Sequence, residues 1–240
     1  MPALLEVRDL RAGYGRIEIL QGLDFSVPQG SVVAILGSNG VGKTTTLRAI
    51  SGVLPPTSGS IRFAGERIDG LDISEIAAKG LVMVPEGRGI FPGLSVEENL
   101  RLIHDGLGRE ASGSRVPWDD FQDEITTVFP RLGERLSQTA GSLSGGEQQM
   151  LAVSRAMVGD PRLVMFDELS MGLAPLIVED LFEHVAAMRE RGMTIILVEQ
   201  FLTHALGLAD VCYVLAKGRV RFAGDPSELR AGAAADYLGA

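Results

Sequence analysis

The stretch Gly37-Ser38-Asn39-Gly40-Val41-Gly42-Lys43-Thr44 follows the apolar run Val32–Leu36 and precedes a helical pattern. The spacing G-x-x-x-x-G-K-T between a strand and a helix is typical of a phosphate-binding loop. Glycines let backbone amides turn toward anionic oxygens, and the start of the following helix adds its partial positive charge. The alternative is a glycine-rich turn with an incidental lysine, which would have to match this spacing and context by chance.

Two side chains of this loop have predicted roles in phosphate chemistry. Lys43 is expected to contact the β and γ phosphates of a nucleotide and to support catalysis, and Thr44 is expected to offer its hydroxyl to Mg²⁺. The predicted nucleotide contacts along the loop are Gly37, Ser38, Asn39, Gly40, Val41, Gly42, Lys43, Thr44 and Thr45.

A second stretch that could take part in catalysis is Leu163-Val164-Met165-Phe166-Asp167-Glu168, an apolar strand that ends in two acids. Successive strand residues point to opposite faces, so the two carboxylates have different environments. Asp167 is expected to face the metal, usually through water, and Glu168 is expected to hold or deprotonate an attacking water. Alone, such an ending is often only a strand that meets a turn, so its interpretation depends on the phosphate loop.

Composition excludes several classes of protein. The 240 residues include 22 Lys and Arg against 31 Asp and Glu, a formal net charge of −9, so no nucleic-acid partner is expected. Cys212 is the single cysteine, which excludes an intrachain disulfide. No apolar run approaches the ~18 residues of a membrane-spanning helix, and charges interrupt the N-terminus too early for a signal peptide. We therefore expect a cytoplasmic chain that reaches a membrane only through partners.

Short apolar runs rich in Val, Ile and Leu alternate with helical patterns along most of the chain. The candidate strands are Leu4–Val7, Leu23–Val27, Val32–Leu36, Ser60–Phe63, Leu81–Val84, Leu163–Phe166, Thr194–Val198, Val211–Leu215 and Val220–Phe222. Several are apolar throughout, which is typical of strands covered on both faces, and the intervening helices imply a mainly parallel sheet. The first strands follow each other through short turns, which predicts an antiparallel β edge.

The region from about Ser95 to Val158 breaks this alternation with a helical pattern. Ser95-Val96-Glu97-Glu98 predicts a capping box, and Asp119–Leu132 predicts a second helical stretch beyond the Gly/Ser-rich loop Asp105–Pro117. We predict an α/β fold whose phosphate-loop core spans residues 1–84 and 160–240, with an inserted α-helical subdomain at residues 85–159.

The sequence Leu143-Ser144-Gly145-Gly146-Glu147-Gln148 precedes a helical run and has the character of a second anion cradle, with small residues, free amides and a positive helix end. One nucleotide does not need two such cradles from one chain. The alternative is an ordinary helix-capping turn.

The phosphate loop, the signature Leu143–Gln148 and the acid strand Leu163–Glu168 follow one another as in the ATP-binding cassette (ABC) ATPases, which the chain resembles from about Leu4 to Leu229. The resemblance implies an ABC ATPase nucleotide-binding domain that uses ATP and Mg²⁺. It also implies a dimer with a second ATPase subunit, with each ATP held between the phosphate loop of one subunit and the signature of the other. The residues that would serve the ATP of the second subunit are Ser144, Gly145, Gly146 and Glu147.

Three positions carry further expectations from this resemblance. Tyr14 is expected to stack on adenine. Glu86 replaces the usual glutamine and is expected to meet Mg²⁺ or its water, unless it is an ordinary solvated loop residue. Gln200 replaces the usual histidine after a strand and is expected to donate a hydrogen bond to the γ-phosphate, although it cannot act as an acid.

Other departures resemble one subgroup, the ATPase subunits of branched-chain amino-acid importers and their relatives for urea and short amides. The stretches concerned are Pro85–Arg88, Phe91 with Leu94–Leu100, Ser170–Pro175 and Val198–Gln200. Leu169 departs even from this subgroup. The resemblance implies an identical or paralogous second ATPase, two transmembrane permease subunits and a substrate-binding protein, with this chain peripheral on the cytoplasmic face of the inner (plasma) membrane. Phe91 is either an exposed anchor for a permease helix or a core residue.

Two other classes of function stay open. One is a non-transport ABC ATPase, for example in DNA repair or translation, although long coiled-coil arms or a second cassette would then be expected. The other is a different phosphate-loop enzyme, a kinase or a GTPase. A GTPase should carry an Asn-Lys-x-Asp guanine reader, which the sequence lacks, and a kinase needs no signature loop.

Overall fold

The computed structural model describes residues 2–107, 116–158, 161–199 and 202–229. The strands of this part of the chain are β1 Ala3–Tyr14, β2 Ile17–Pro28, β3 Val32–Leu36, β4 Ser58–Phe63, β5 Glu66–Arg67, β6 Leu81–Val84, β7 Leu163–Asp167, β8 Thr194–Glu199, β9 Val211–Ala216 and β10 Arg219–Gly224. The helices are α1 Lys43–Ile50, α2 Ile73–Ala78, α3 Val96–Leu107, α4 Trp118–Val128, α5 Pro130–Gly133, α6 Gly145–Val153, α7 Pro175–Glu190, α8 Leu202–Leu208 and α9 Pro226–Glu228. Short 3₁₀ turns cover Ala140–Ser142 and Ser154–Met157.

Two sheets form the β structure. The first has the order β2-β1-β4-β5 and is antiparallel throughout. The second has the order β10-β9-β3-β8-β7-β6, and only β10 runs antiparallel to its neighbour. The predicted α/β fold, mainly parallel with an antiparallel β part, is confirmed.

The parallel strands are buried on both faces, as their continuous apolar runs predict. Every residue of β3, β7 and β8 is buried. Alternate residues of β7 and β8 enter two different apolar clusters, because successive side chains point to opposite faces. One cluster packs α1 and the antiparallel sheet against the parallel sheet, and the other includes α7 together with α4 and α6.

The strand order brings three carboxyl ends to one edge of the parallel sheet. β3 pairs with β8, and β8 pairs with β7. In this register Leu36 lies opposite Glu199, and Asp167 lies opposite Val198. The phosphate loop after β3 and the acids at the end of β7 are therefore neighbours in space.

Helices α3 to α6 lie between β6 and β7 in the chain. The capping box at α3 is confirmed, since the Glu98 amide donates to Ser95 Oγ at 3.1 Å and the Ser95 amide donates to Glu98 Oε2 at 2.7 Å. The stretch Asp119–Leu132 is two helices rather than one. It breaks at Phe129, because Pro130 has no N–H and its ring does not fit a helix interior.

Two further sequence expectations concern the ends of this helical region and the single cysteine. The loop expected at Asp105–Pro117 is wrong at its start, because α3 continues to Leu107. Residues 108–115 of that loop lie outside the described residues. Cys212 is fully buried in β9, as expected of a core residue. None of the helices in the described ranges combines the length and the apolar character that crossing a membrane requires.

Candidate active site

The phosphate loop connects β3 to α1 and depends on its glycines. Gly40 and Gly42 have φ values of 80° and 110°, in the left-handed region that glycine adopts without strain. A Cβ at Gly42 would lie 2.7 Å from Leu20 Cδ2, and a Cβ at Gly37 would lie 2.6 Å from the Leu215 carbonyl oxygen. Gly42 is also the N-cap of α1, where no side chain caps the helix. The first amides of α1 are therefore available to an anion.

Lys43 is folded into this loop. Its side chain is buried, and Nζ donates to the Gly37 carbonyl at 2.9 Å and to the Ser38 carbonyl at 3.3 Å. The same Nζ lies 3.4 Å from Glu168 Oε1. The ammonium thus holds the two sides of the loop together and presents a positive charge beside the carboxyl end of β7.

Thr44 and Asp167 meet directly. Thr44 Oγ1 donates to Asp167 Oδ1 at 3.0 Å. Asp167 is 2% exposed, and its second oxygen, Oδ2, is buried without a hydrogen-bond partner in the described structure. Burial, together with the nearby charges of Glu86 and Glu168, raises the pKa of the Asp167 carboxyl to about 6, although the hydrogen bond from Thr44 lowers it.

This pair fits a magnesium ion. Mg²⁺ prefers oxygen ligands and is usually bound through one or two carboxylates together with phosphate oxygens and water. The orphaned Asp167 Oδ2 and the neighbouring Thr44 hydroxyl supply such oxygens. A cation would also compensate the carboxylate charges that raise the Asp167 pKa.

Glu168 has an unusual backbone. Its φ is 51°, a left-handed value that is uncommon for a residue with a side chain. Its amide donates to the Val198 carbonyl at 2.9 Å, and its side chain is only 10% exposed. The carboxylate lies beside Lys43, on the edge of the sheet where the phosphate loop begins.

A cavity of about 350 Å³ opens over these residues. Its lining consists of Tyr14, Ile19, Asn39, Gly40, Gly42, Lys43, Thr44, Thr45, Glu86, Glu168 and Met171. Half of the residues predicted to contact nucleotide or metal thus meet around one space, together with Glu168. Gly37, Ser38, Val41 and Asp167 do not line it. The Gly37 and Ser38 carbonyls accept hydrogen bonds from Lys43, Val41 packs against the core, and Asp167 is buried and bonded to Thr44.

Tyr14 stands at the cavity with 44% of its surface exposed. Its hydroxyl accepts a hydrogen bond from Arg48 Nη1 at 3.0 Å. The sequence predicts no contact with a nucleotide for Arg48, Ile19 or Met171, although Met171 lies within the stretch Ser170–Pro175. Gln200, which was predicted to reach the γ-phosphate, lies outside the described residues.

The signature residues stand apart from the cavity lining. Ser144 is the N-cap of α6 and forms a reciprocal capping box with Glu147. The Glu147 amide donates to Ser144 Oγ at 3.3 Å, and the Ser144 amide donates to Glu147 Oε2 at 2.9 Å. The latter bond, assisted by the charge of Arg135, lowers the pKa of Glu147. The expectation of free amides is therefore wrong for Ser144 and Glu147, whose amides the chain caps itself.

The glycines of the signature serve close packing. A Cβ at Gly146 would lie 2.7 Å from Ile177 Cγ2, so a side chain there would push α6 away from α7. A Cβ at Gly145 would lie 3.2 Å from Arg88 Nη2. None of the four predicted signature residues lines the cavity of its own chain.

The Glu86 loop connects the cavity to α6. Glu86 is exposed and lines the cavity, and the next three residues, Gly87, Arg88 and Gly89, all have positive φ values of 78°, 73° and 62°. Arg88 Nη1 donates to Gln148 Oε1 on α6, and Arg155 Nη2 donates to the Gly89 carbonyl at 2.8 Å. Two arginines therefore tie this loop to the helical region.

Phe91, at the end of the same loop, is 56% exposed. The core alternative for this residue is wrong, and its ring is open to a partner.

Comparison with known proteins agrees with this geometry. The family model described as ABC transporter matches residues 20–170 of the chain. A Pseudomonas aeruginosa protein named BraG, a high-affinity branched-chain amino acid transport ATP-binding protein, is 44% identical over 210 residues, which cover 86% of each chain. An Archaeoglobus fulgidus protein named LivF, a probable branched-chain amino acid transport ATP-binding protein, is 34% identical over 94% of each chain.

A solved structure extends the likeness over the whole fold. The ADP conformation of an ATP-binding cassette of an ABC transporter superposes with a TM-score of 0.83 at 25% identity and covers 100% of both chains. The family match spans more than half of the chain, and the two relatives are covered over most of their length. The chain therefore belongs to the ABC transporter family, as one of its ATP-binding, ATP-hydrolysing subunits.

Proposed function

We propose that the chain binds MgATP in the cavity over α1, hydrolyses it with Glu168 as general base, and thereby drives import of branched-chain amino acids. One observation carries the catalytic part of this proposal. Lys43, Thr44, Asp167 and Glu168 come from separate parts of the sequence and converge at one edge of the parallel sheet.

The phosphate groups would lie against the phosphate loop. The uncapped amides of α1 and the buried ammonium of Lys43 supply positive charge where the triphosphate is most negative. Thr44 and Asp167 would hold Mg²⁺, which supplies charge neutralisation to the β and γ phosphates when bound. Glu86 stands at the same cavity and would meet the metal or its water. Tyr14 would stack on the adenine ring, a contact of ~1–3 kcal/mol for a base on an aromatic ring.

Hydrolysis needs a base near the γ-phosphate. Glu168 would take a proton from a water molecule while the water oxygen forms a bond to the γ-phosphorus. The bond from that phosphorus to the β–γ bridging oxygen breaks, and the products are ADP and inorganic phosphate. Gln200 would donate a hydrogen bond to the γ-phosphate, which stays a prediction from the sequence.

The signature turn supports a dimer with a second ATPase subunit. Ser144, Gly145, Gly146 and Glu147 do not line the cavity of their own chain, so in our proposal they close over the ATP held by the partner. Residues 1–84 and 160–240 would then act as the ATP-binding core, and residues 85–159 as the subdomain that carries the signature.

ABC ATPase subunits work with permease components. We propose two transmembrane permease subunits that contact the exposed Phe91, a substrate-binding protein on the other side of the membrane, and a peripheral position for this chain on the cytoplasmic face. The cargo proposal rests on the likeness to BraG and LivF. Urea and short amides are the alternative cargo.

Phosphate release from ATP tests the catalytic part. Lys43→Ala is expected to weaken ATP binding and reduce phosphate release, because it removes the buried ammonium from the loop. Lys79→Ala is the matched control, since Lys79 pairs with Glu66 near the molecular surface. Equal rates for both variants would contradict the proposed site.

Transport tests the cargo. The chain, co-expressed with its candidate permeases and binding protein, is expected to support ATP-dependent uptake of labelled leucine, isoleucine or valine into vesicles. Uptake of urea or acetamide without uptake of leucine would replace the cargo proposal and leave the ATPase proposal intact.

A further inference from the structure

A second buried carboxylate lies close to Glu168 and has no role in the hydrolysis described above. Glu199 ends β8 and is 1% exposed. Both of its carboxylate oxygens accept hydrogen bonds from one residue: the Ser170 amide donates to Oε1 at 3.1 Å, and Ser170 Oγ donates to Oε2 at 2.7 Å. Burying a carboxylate is costly unless it is hydrogen-bonded. The two bonds between Ser170 and Glu199 therefore restrict the position of the turn that follows Glu168.

The turn itself needs to be held. Glu168 has a φ of 51°, and a left-handed non-glycine residue persists only where its surroundings fix it. The Glu168 amide donates to the Val198 carbonyl at 2.9 Å, and the Met171 amide donates to the Glu168 carbonyl at 3.2 Å. Val198 and Glu199 are consecutive, so the end of β8 is hydrogen-bonded to the turn at both Glu168 and Ser170.

These hydrogen bonds affect the position of the Glu168 carboxylate. Glu168 Oε1 is 3.4 Å from Lys43 Nζ, and both residues line the cavity, as does Met171 on the far side of Ser170. A base that abstracts a proton in the transition state works only within hydrogen-bond reach of its water. A more mobile turn would therefore lower the rate of hydrolysis more than it lowers the affinity for nucleotide.

We propose that Ser170 and Glu199 are positioning residues for hydrolysis, which hold the Glu168 carboxylate in the cavity by clamping the turn that follows it. The inference rests on the proposed function of Glu168. Neither residue contacts the nucleotide in this proposal.

Steady-state kinetics of the purified full chain test the clamp. Ser170→Ala removes the hydroxyl bond to Glu199, and it is expected to lower kcat by about ten- to a hundredfold. The Kd for ATP should change less than about twofold, because Ser170 lies outside the phosphate loop. If Ser170→Ala does not fold, Ser170→Cys keeps the volume with only a weak S–H donor and carries the same expectation.

Ser31→Ala is the matched control. Ser31 is also buried, and its hydroxyl donates to the Pro28 carbonyl at the same distance of 2.7 Å, but it lies at the start of β3, away from the cavity lining. It should keep the parental kcat. A parental kcat for Ser170→Ala, an equal loss of kcat for Ser31→Ala, or a parallel loss of ATP affinity in Ser170→Ala would overturn the clamp.

The double variant Ser170→Ala/Glu168→Gln separates the two proposals. If the clamp acts through Glu168, adding Ser170→Ala to Glu168→Gln leaves the residual rate unchanged, because groups that act as a unit are non-additive. A further fall in rate would contradict the positioning role of Ser170 and would not affect the proposed role of Glu168. A Glu168→Gln chain that turns over normally would instead remove the proposed function of Glu168, whatever Ser170 does.

Discussion

The N-termini of α1 and α6 both follow glycine-containing turns, yet they are completed in opposite ways. At α1 the N-cap is Gly42, no side chain caps the helix, and the Lys43 ammonium is folded into the loop. At α6 the N-cap is Ser144, which exchanges hydrogen bonds with Glu147. Arg135 Nε lies 3.2 Å from the Glu147 carboxylate. The chain therefore leaves the first helix start without a side-chain cap, and at the second it caps the Ser144 and Glu147 amides with its own side chains.

The difference has an energetic meaning. An anion at α1 displaces no capping side chain, whereas at α6 the Ser144 and Glu147 amides are already bonded and the Glu147 carboxylate opposes an anion. We therefore expect lasting nucleotide binding on the α1 side and reversible contact on the α6 side.

The α1 side should carry the chemistry. Glu168→Gln keeps the shape of the side chain but removes the base, so phosphate release should fall by about 10²- to 10⁴-fold. ATP binding should be retained, and a dimer should accumulate with unhydrolysed ATP, which light scattering detects. Glu183→Gln, on an exposed position of α7, is the control. Undiminished hydrolysis by Glu168→Gln would place the base elsewhere.

The α6 side should act only on a second chain. Ser144→Arg puts a long cation at the helix start, and it is expected to leave ATP binding by the single chain unchanged and to weaken ATP-driven dimerisation by more than about tenfold. Measured in the Glu168→Gln background, the dimer fraction reports closure alone. Normal dimerisation of this variant would show that the signature turn does not face the partner's nucleotide.

Asp167 should make the free energy of unfolding depend on pH. Its pKa of about 6 in the folded chain lies above the ordinary 3.8, so between these values the folded state binds more protons than the unfolded state. The contribution of this carboxyl to the free energy of unfolding therefore falls as pH rises from about 4 to about 6. Asp167→Asn should remove that fall in urea unfolding of the nucleotide-free chain.

The same titration opposes metal binding. A proton on Asp167 competes with a cation, so the apparent affinity for Mg²⁺ in the presence of ATP should weaken as pH drops below about 6. Asp120→Asn, on an exposed position of α4, is the control for both measurements. A pH profile shared by Asp120→Asn and Asp167→Asn would exclude Asp167 as its source.

The smallest effect concerns the cap of α6. Ser144→Ala should lower the free energy of unfolding by about 1 kcal/mol, because an N-cap hydroxyl is lost. Ser58→Ala, an exposed serine at the start of β4, should change it by a few tenths of a kcal/mol at most. If both variants unfold alike in urea, the capping box contributes nothing and the contrast between the two helix starts weakens.

The sequence predicts best what is local. The phosphate loop, the acid strand and the capping box at Ser95 depend on short spacings, and the structure brings Thr44 to Asp167 as the magnesium chemistry required. The bonds from Arg48 to Tyr14 and from Ser170 to Glu199 join residues far apart in the chain. Tyr14, Ser170 and Glu199 lie at positions that the family resemblance marks, but no spacing pairs them with their partners, so only the folded arrangement of strands and helices reveals these bonds.

The contact between Arg88 and Gln148 has a mechanical consequence. Glu86 borders the space where the nucleotide would lie, and two residues later the chain is fastened to the same helix that begins with the signature. Only Gly87 separates Glu86 from Arg88, so the connection between the cavity and α6 is short. A displacement of Glu86 would therefore either move α6 as well or break the hydrogen bond between Arg88 and Gln148. In the first case a local shift at the nucleotide site would become a movement of the helix that carries the signature.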